Sequence, residues 1–307
     1  MKIAVLGAGA MGSLYGGLLA EAGNEVWLID VFKEHVDAIN KDGLWIEGLS
    51  GNRAIKNIKA TADSKEVGNV QLVLVFVKST ITDVAISQNK ALIGKDTIIL
   101  TLQNGLGNIE KIQRVIEYAN IIAGTTAHGS TLMGPGKIKH AGKGKTIIGE
   151  LDGSKTQRIQ LVIKILEEAG IEAIVSDNIM GLIWDKLLVN VGINALTAIT
   201  GLNNGQLTEF PETKWILEEA VKEAVKVADS KRIKLSTEDA VEHTKEVCKA
   251  TAANRSSMLQ DVMNHRKTEI EMINGAIVRE AEKEQIQTPI NKVLTQLVLV
   301  KEKTYNI

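Results

Sequence analysis

Through its first half the chain alternates short apolar runs with helix-length segments. Residues 2–6, 25–29, 72–77, 97–101 and 120–123 are each nearly continuous in Val, Ile, Leu and Ala. Runs this short and unbroken suit parallel strands buried on both faces. Segments at 11–23, 34–42, 80–92 and 108–117 lie between them and carry helical spacing. Strand and helix in strict alternation predict right-handed βαβ units and a doubly wound parallel sheet. After Gly134-Pro135-Gly136, residues 137–141 and 145–149 read as antiparallel strands added at the edge of that sheet. A helix over 155–169 and a strand over 172–175 close this part of the chain.

From Asp177 onward the pattern is helical: 178–198, 211–231, 236–253, 257–284 and 290–303, punctuated by Gly201, Gly205, Pro211 and Pro289. The predicted fold class is α/β, an N-terminal doubly wound Rossmann-type sheet (1–176) followed by an all-helical C-terminal domain (177–307). The join falls at Ser176-Asp177-Asn178, which offers an N-cap to the next helix. No internal repeat or low-complexity stretch is present.

Composition narrows the function classes. Of 307 residues, 44% are hydrophobic and 24% charged, enough to bury a sizeable core. With 36 basic and 37 acidic side chains the net charge is −1, which argues against a basic nucleic-acid binder, and 3% aromatic residues argue against base stacking. A single cysteine, Cys248, excludes an intrachain disulfide framework and a Cys-rich zinc site. His35, His128, His140, His243 and His265 lack metal-ligand spacing, so no metal is expected. His128 reads as a satisfied loop histidine. Glu218, Glu219, Lys222, Glu223 and Lys226 read as a solvated helix face, and Val293, Leu294, Leu297, Val298 and Val300 as core or a helix-packing surface. The longest apolar strand run, 72–77, is far short of the roughly 20 residues of a membrane helix, and no cleavage site follows an apolar leader. The expectation is a soluble cytoplasmic protein with no nucleic-acid or membrane partner.

Two constellations carry chemistry. Gly7-Ala8-Gly9-Ala10-Met11-Gly12 follows the first strand directly and opens a helix. In that setting Gly7 makes the tight turn, Gly9 lets a pyrophosphate approach the backbone, and Gly12 packs helix on strand, while the helix N-terminus supplies N–H donors. Asp30 ends the second strand 18 positions after Gly12, close to the roughly 20 expected of a carboxylate that binds the adenosine ribose. With Val31 and Phe32 beside it and Lys33 the only nearby cation, the pocket favours NAD(H) over NADP(H). The second constellation is Lys186, Asn190 and Asn194, at i, i+4 and i+8 of an otherwise apolar helix. Left buried without partners, each neutral amide would cost about 1–3 kcal/mol. A polar ligand, or an interhelical hydrogen-bond network, would satisfy them.

Beside the glycine loop, three segments resemble the ketopantoate reductase (2-dehydropantoate 2-reductase) family over essentially the whole chain. They are Leu102-Gln103-Asn104-Gly105-Leu106-Gly107-Asn108, Trp184-Asp185-Lys186 running on to Asn190 and Asn194, and Ser256-Ser257-Met258-Leu259-Gln260-Asp261 continuing to Thr268-Glu269-Ile270. The resemblance implies nicotinamide-dependent reduction of 2-dehydropantoate to (R)-pantoate, a step of pantothenate and coenzyme A synthesis. It makes Lys186 the proton donor to the carbonyl oxygen. It makes Asn190, Asn194, Asn204 and Ser257 substrate-binding, and places Asn104 and Lys78 where nicotinamide ribose and substrate meet. Glu269 matches a glutamate at the cofactor–substrate junction, and Gly129 matches, loosely, a glycine that offers backbone to the cofactor. The chemistry agrees, since an ammonium stabilises and then protonates a developing alkoxide. Its pKa must first be lowered, by desolvation or by a nearby cation such as Lys78.

One feature departs from the family pattern. Many relatives carry Arg where Val31 stands, suited to a 2′-phosphate. Asp30-Val31 therefore opens a second enzyme reading, an NAD-dependent D-2-hydroxyacid dehydrogenase acting on branched or aromatic 2-keto acids. A third reading, a dinucleotide sensor without turnover, is opposed by the intact set Lys186, Asn190, Asn194, Ser257 and Glu269. Monomer and homodimer are both compatible with the helical half.

Overall fold

The computed structural model describes residues 1–116 and 120–306. By contacts the chain divides into two units: Met1–Gln103 with Asn108–Ile179, and Asn104–Gly107 with Met180–Ile307. The first is α/β and the second helical. The division falls three residues beyond the expected join, and a four-residue excursion at 104–107 belongs to the second unit.

The first unit begins β1 (Lys2–Leu6), α1 (Ala10–Glu21), β2 (Glu25–Ile29), α2 (Lys33–Asp42), β3 (Leu44–Gly48), β4 (Arg53–Ile55) and β5 (Ile58–Thr61). It continues β6 (Leu72–Val75), α3 (Thr82–Gln88), β7 (Ile98–Thr101), α4 (Asn108–Val115), β8 (Asn120–Thr126), β9 (Gly129–Gly134), β10 (Lys137–Gly142), β11 (Thr146–Glu150), α5 (Gln157–Glu168) and β12 (Ala173–Val175). The main sheet has the order β12-β11-β8-β7-β6-β1-β2-β5. β5, β2, β1, β6, β7 and β8 are parallel, and β11 runs antiparallel to β8. The chain leaves β1 for β2 on one side and later returns to β6 on the other, so the strand order reverses between β1 and β6. Ligands of open α/β sheets bind at the carboxyl ends of strands at such a switch point.

A second sheet, β4-β3-β10-β9, covers α1 from the other side. Residues 12–20 of α1 are all buried, which one sheet could not achieve. The paired glycines show why: a Cβ at Gly16 would lie 2.5 Å from Leu28, and one at Gly17 would lie 2.8 Å from Ile46. α1 is thus pressed between two layers. This corrects the edge-strand expectation. Residues 137–141 fall in β10 of the second sheet, where Ile138 joins Leu44 and Ile46 in the core. Residues 145–149 do fall in an antiparallel strand, β11, but β12 lies outside it. The strands at 44–48, 53–55, 58–61 and 129–134 were not anticipated. The expected helix over 80–92 is α3 flanked by 3-10 turns. Residue 117, the expected end of another helix, lies outside the described residues.

The helical unit comprises α6 (Ile179–Thr200), α7 (Pro211–Ser230), α8 (Ala240–Ala250), α9 (Ser257–Met263), α10 (Asn274–Lys283) and α11 (Pro289–Lys303). The segment expected as one helix over 257–284 breaks after α9. His265 takes a left-handed φ of 51° and the Arg266 N–H closes on the Asp261 carbonyl at 2.8 Å. Arg232 and Gln285 end two other helices with φ of 56° and 57°. None is the glycine that usually marks such a stop. α6 has the length and apolarity of a membrane span, which the apolar strand runs did not announce, but 67% of its most apolar stretch is buried within the structure. Trp184, Leu187, Leu188, Val191 and Leu196 put it at the centre of this unit's core.

Glu223 is not on a solvated face. It is 7% exposed and accepts hydrogen bonds from the N–H groups of Ile290 and Asn291 and from Asn291 Nδ2, at 2.9, 3.0 and 2.8 Å. It thereby caps the first turn of α11, whose N–H groups have no intrahelical partner. Glu223→Ala is expected to destabilise the helical unit by about 2–4 kcal/mol by stranding those donors, and Glu223→Gln by less. Urea unfolding followed by the fluorescence of Trp184 and Trp215 measures both.

Candidate active site

The glycine loop is built from backbone contacts that admit no side chain. Gly7, at φ 95°, donates its N–H to the Ile29 carbonyl at 2.9 Å, and a Cβ there would lie 2.6 Å from the Val77 nitrogen. A Cβ on Gly12 would lie 1.9 Å from the Gly7 carbonyl oxygen. Gly9 differs, because nothing lies within 4 Å of a Cβ built on it. It is the N-cap of α1 and no side chain caps that end. The loop is tight at 7 and 12 and open at 9.

Asp30 ties this loop to the end of β2. One carboxylate oxygen accepts the Ala8 N–H at 2.7 Å and the other the Phe32 N–H at 2.9 Å. Val31 is 86% exposed beside it. From below, Ser13 donates its hydroxyl to the Ala8 carbonyl at 2.7 Å and lies 3.1 Å from His35 Nε2. His35 Nδ1 accepts the Gly136 N–H at 3.0 Å, which leaves Nε2 as the protonated nitrogen and donor. His35 is buried, which pushes its pKa down.

Lys78 is exposed in the loop after β6. Gln103 fixes that loop by donating to the Val77 carbonyl and Thr82 Oγ1 at 2.7 and 2.8 Å, and Lys111 donates to the Ser79 carbonyl at 2.5 Å. Gly129 opens β9 opposite Gly142. His128 is only half satisfied. Its Nδ1 lies 3.2 Å from His140 Nε2, and its Nε2 has no partner among the described residues.

In the helical unit, Lys186 and Asn190 are partly buried and Asn194 is 4% exposed, so burial deepens along the polar stripe of α6. Burial pushes the Lys186 ammonium down from 10.5 to about 8, and the Glu269 carboxylate partly opposes this. The lowering comes from desolvation, and the charge against Lys186 is an anion rather than the cation considered above. Glu269 is 8% exposed and opens the turn to which the 104–107 segment attaches. The Leu106 N–H donates to the Met272 carbonyl at 3.0 Å, and a Cβ on Gly105 would lie 2.4 Å from that same oxygen. The structure therefore gathers Lys186, Glu269 and the loop bearing Asn104 in one unit.

The two adjacent serines divide their labour. Ser256 is buried, caps α9 through the Leu259 N–H at 3.0 Å, and lies 2.7 Å from the Thr197 hydroxyl of α6. Ser257 is exposed at the first turn of α9. Asn204 gives its amide N–H to Thr251 Oγ1 at 2.9 Å, while its Oδ1 is buried without a partner among the described residues. Asp185, beside the lysine, accepts the Ser236 N–H at 3.0 Å. Sequence reasoning missed Ser13, His35, Ser256 and Thr268, which hold site residues from behind. Only the serine doublet and the Thr-Glu pair carried any visible signal.

The family described as ketopantoate reductase PanE/ApbA matches residues 3–153, and its C-terminal domain matches 178–302. The chain belongs to the ketopantoate reductase family. A 2-dehydropantoate 2-reductase of Pyrococcus horikoshii is 39% identical over 302 residues, covering 98% of each chain. One from Halobacterium salinarum is 37% identical over 301 residues, covering 97% of this chain and 98% of its own. Among solved structures, a PanE/ApbA family ketopantoate reductase from Ralstonia eutropha JMP134 superimposes with a TM-score of 0.92 at 34% identity, covering 99% of each. A D-mandelate dehydrogenase in a ternary structure with NADH and anilino(oxo)acetate gives 0.94 at 34%, covering all of both chains. The segments 102–108, 184–194 and 256–270 thus stand in a full-length ketopantoate reductase framework.

The loop geometry separates two glycine substitutions. Gly12→Ala is expected to weaken binding of the nicotinamide cofactor at least ~10-fold and to lower the melting temperature, because the Gly7 carbonyl must move. Gly9→Ala should leave the melting temperature unchanged while weakening binding, since its methyl enters open space. Fluorescence titration and thermal unfolding of the two variants check the contrast.

Proposed function

We propose that the chain reduces 2-dehydropantoate to (R)-pantoate with NADH, Lys186 serving as general acid. The observation that carries this reading is the polar stripe of α6, where a partly buried ammonium with its pKa lowered to about 8 stands one and two turns from Asn190 and Asn194. Full-length similarity to proteins named 2-dehydropantoate 2-reductase supports the substrate.

Residues 7–12 fit a pyrophosphate. An uncapped helix end meets open space at Gly9, and the donors there are backbone N–H groups. Asp30, held by two backbone amides, keeps acceptor capacity for ribose hydroxyls and repels a 2′-phosphate, which supports NADH over NADPH. When bound, the nicotinamide supplies a hydride to the carbonyl carbon. The chain's own part is proton and charge management. Lys186 donates to the carbonyl oxygen as negative charge develops there and then delivers its proton. Glu269 keeps the partly desolvated ammonium charged at neutral pH. Asn190, Asn194 and Ser257 hold the carboxylate without adding charge, and Asn104 and Lys78 serve the substrate–ribose junction, with Gly129 offering backbone to the cofactor.

Asn204 refines the substrate. One of its two amide N–H groups is committed to Thr251, and its buried Oδ1 is left to offer as an acceptor. A buried acceptor is worth filling with a hydroxyl donor, and 2-dehydropantoate carries a hydroxyl two carbons beyond its ketone. The likeness to D-mandelate dehydrogenase with NADH favours a second reading, a D-2-hydroxyacid dehydrogenase for bulky 2-keto acids lacking that hydroxyl.

Initial rates with a panel of 2-keto acids and both cofactors test these readings. kcat/KM is expected to be highest for 2-dehydropantoate with NADH; a higher value for phenylglyoxylate favours the second reading, and a tenfold preference for NADPH overturns the role of Asp30. Lys186→Ala is expected to fold, bind NADH and lose ~10²–10⁴-fold in kcat. Because the protonated lysine is the active form, kcat/KM for reduction should be level below about pH 8 and fall above it. A pH profile of the wild type checks that limb, and its presence in Lys186→Ala would rule out the assignment.

A further inference from the structure

The turn that carries Glu269 is held from behind by the C-terminal helix. Thr268, 1% exposed, donates both its N–H and its hydroxyl to Oε1 of Glu302 on α11, at 2.8 and 2.6 Å. The same hydroxyl oxygen accepts the Ile270 N–H at 3.2 Å. On the far side of the turn, the Glu269 carbonyl accepts the N–H groups of Met272 and Ile273 at 2.9 and 3.1 Å, and the Met272 carbonyl holds the loop bearing Asn104. One carboxylate oxygen of α11 thus takes two charge-assisted hydrogen bonds from the residue next to Glu269. Such bonds are about twice as strong as neutral ones.

We propose that Glu302 is a positioning residue, clamping Thr268 and with it the turn from which the adjoining Glu269 acts on the Lys186 ammonium. The proposal rests on Lys186 being the proton donor. Glu302 acts through one residue and one turn. Tyr305, stacked on His265 with ring centroids 5.1 Å apart, has its hydroxyl pushed up by burial and then by the charges of Glu302 and Asp261. Its titration therefore lies above the range in which Lys186 changes charge. The Glu269 carboxylate favours the charged form of Lys186 against the desolvation that lowers its pKa. A clamp that loosens should release the Lys186 proton at lower pH.

The test is kcat and kcat/KM from about pH 6 to about pH 10 for a small set of full-length variants. Glu302→Ala is expected to lower kcat ~10-fold and to move the descending limb to lower pH, with the KM for NADH within about twofold of wild type. Glu302→Gln keeps an acceptor oxygen and should recover most of kcat. If Glu302→Ala does not fold, Thr268→Val removes the hydroxyl donor and leaves α11 intact; it should show the same shift, and Thr268→Ser should reverse it. In a Glu269→Gln background, Glu302→Ala should move the limb no further, because the effect runs through Glu269. A limb that stays in place in Glu302→Ala and Thr268→Val, even with a lower melting temperature, overturns the proposal. So does an equal shift in the Glu269→Gln background. A limb that persists in Lys186→Ala removes the proton-donor reading and this proposal with it, whereas its loss there with no effect of Glu302 or Thr268 removes the clamp alone.

Discussion

The partial burial of one lysine ammonium is the constraint around which the helical unit is organised. α6 is apolar enough to be that unit's central helix, yet it carries Lys186 partly buried, with two asparagines following at one and two turns. A lowering from 10.5 to about 8 disfavours the charged form by roughly 3 kcal/mol. Since the folded value lies below the unfolded one, folding is penalised by the proton at neutral pH. Stability is gained as pH rises from about 8 towards 10.5. The proposed chemistry needs the proton that stability would discard. Glu269 mediates between the two demands, and its turn is tied both to the loop at 104–107 and to α11.

The α/β unit meets the opposite requirement, a stretch of backbone left bare for an anion. Gly7 and Gly12 let strand, loop and helix approach until no methyl group fits. The bare loop is then secured through its carbonyl and amide groups, by Asp30 on one side and the Ser13–His35 pair on the other. In both units a residue that would meet a ligand is also held by buried polar residues that would not, Ser13 and His35 in one and Thr268 in the other.

What was legible in the sequence follows from this division. The five apolar runs and the glycine loop were visible because parallel strands bury both faces and a dinucleotide turn constrains composition. The stripe at 186, 190 and 194 was visible because amides on an apolar helix need a reason. The second sheet was missed, although Leu44 and Ile46 inward with Trp45 and Glu47 outward is a period of two. Its strands pair across about 90 residues, as His140 pairs with Gly48, and no local pattern announces that. The break after α9 was missed because His265 takes the left-handed conformation that glycine usually supplies. Glu223 passed for a surface charge since its partners, Ile290 and Asn291, lie 67 and 68 residues away.

The excursion at Asn104–Gly107 bears on how such a protein can be taken apart or recombined. Four residues between β7 and α4 belong by contact to the helical unit, where Leu106 packs against its core. A cut near residue 179 would leave the first piece with an apolar loop lacking its seat, and the second with a vacancy at Met272. The two halves are therefore not freely exchangeable modules. Swapping the helical half onto another dinucleotide-binding domain would require carrying residues 104–107 with it.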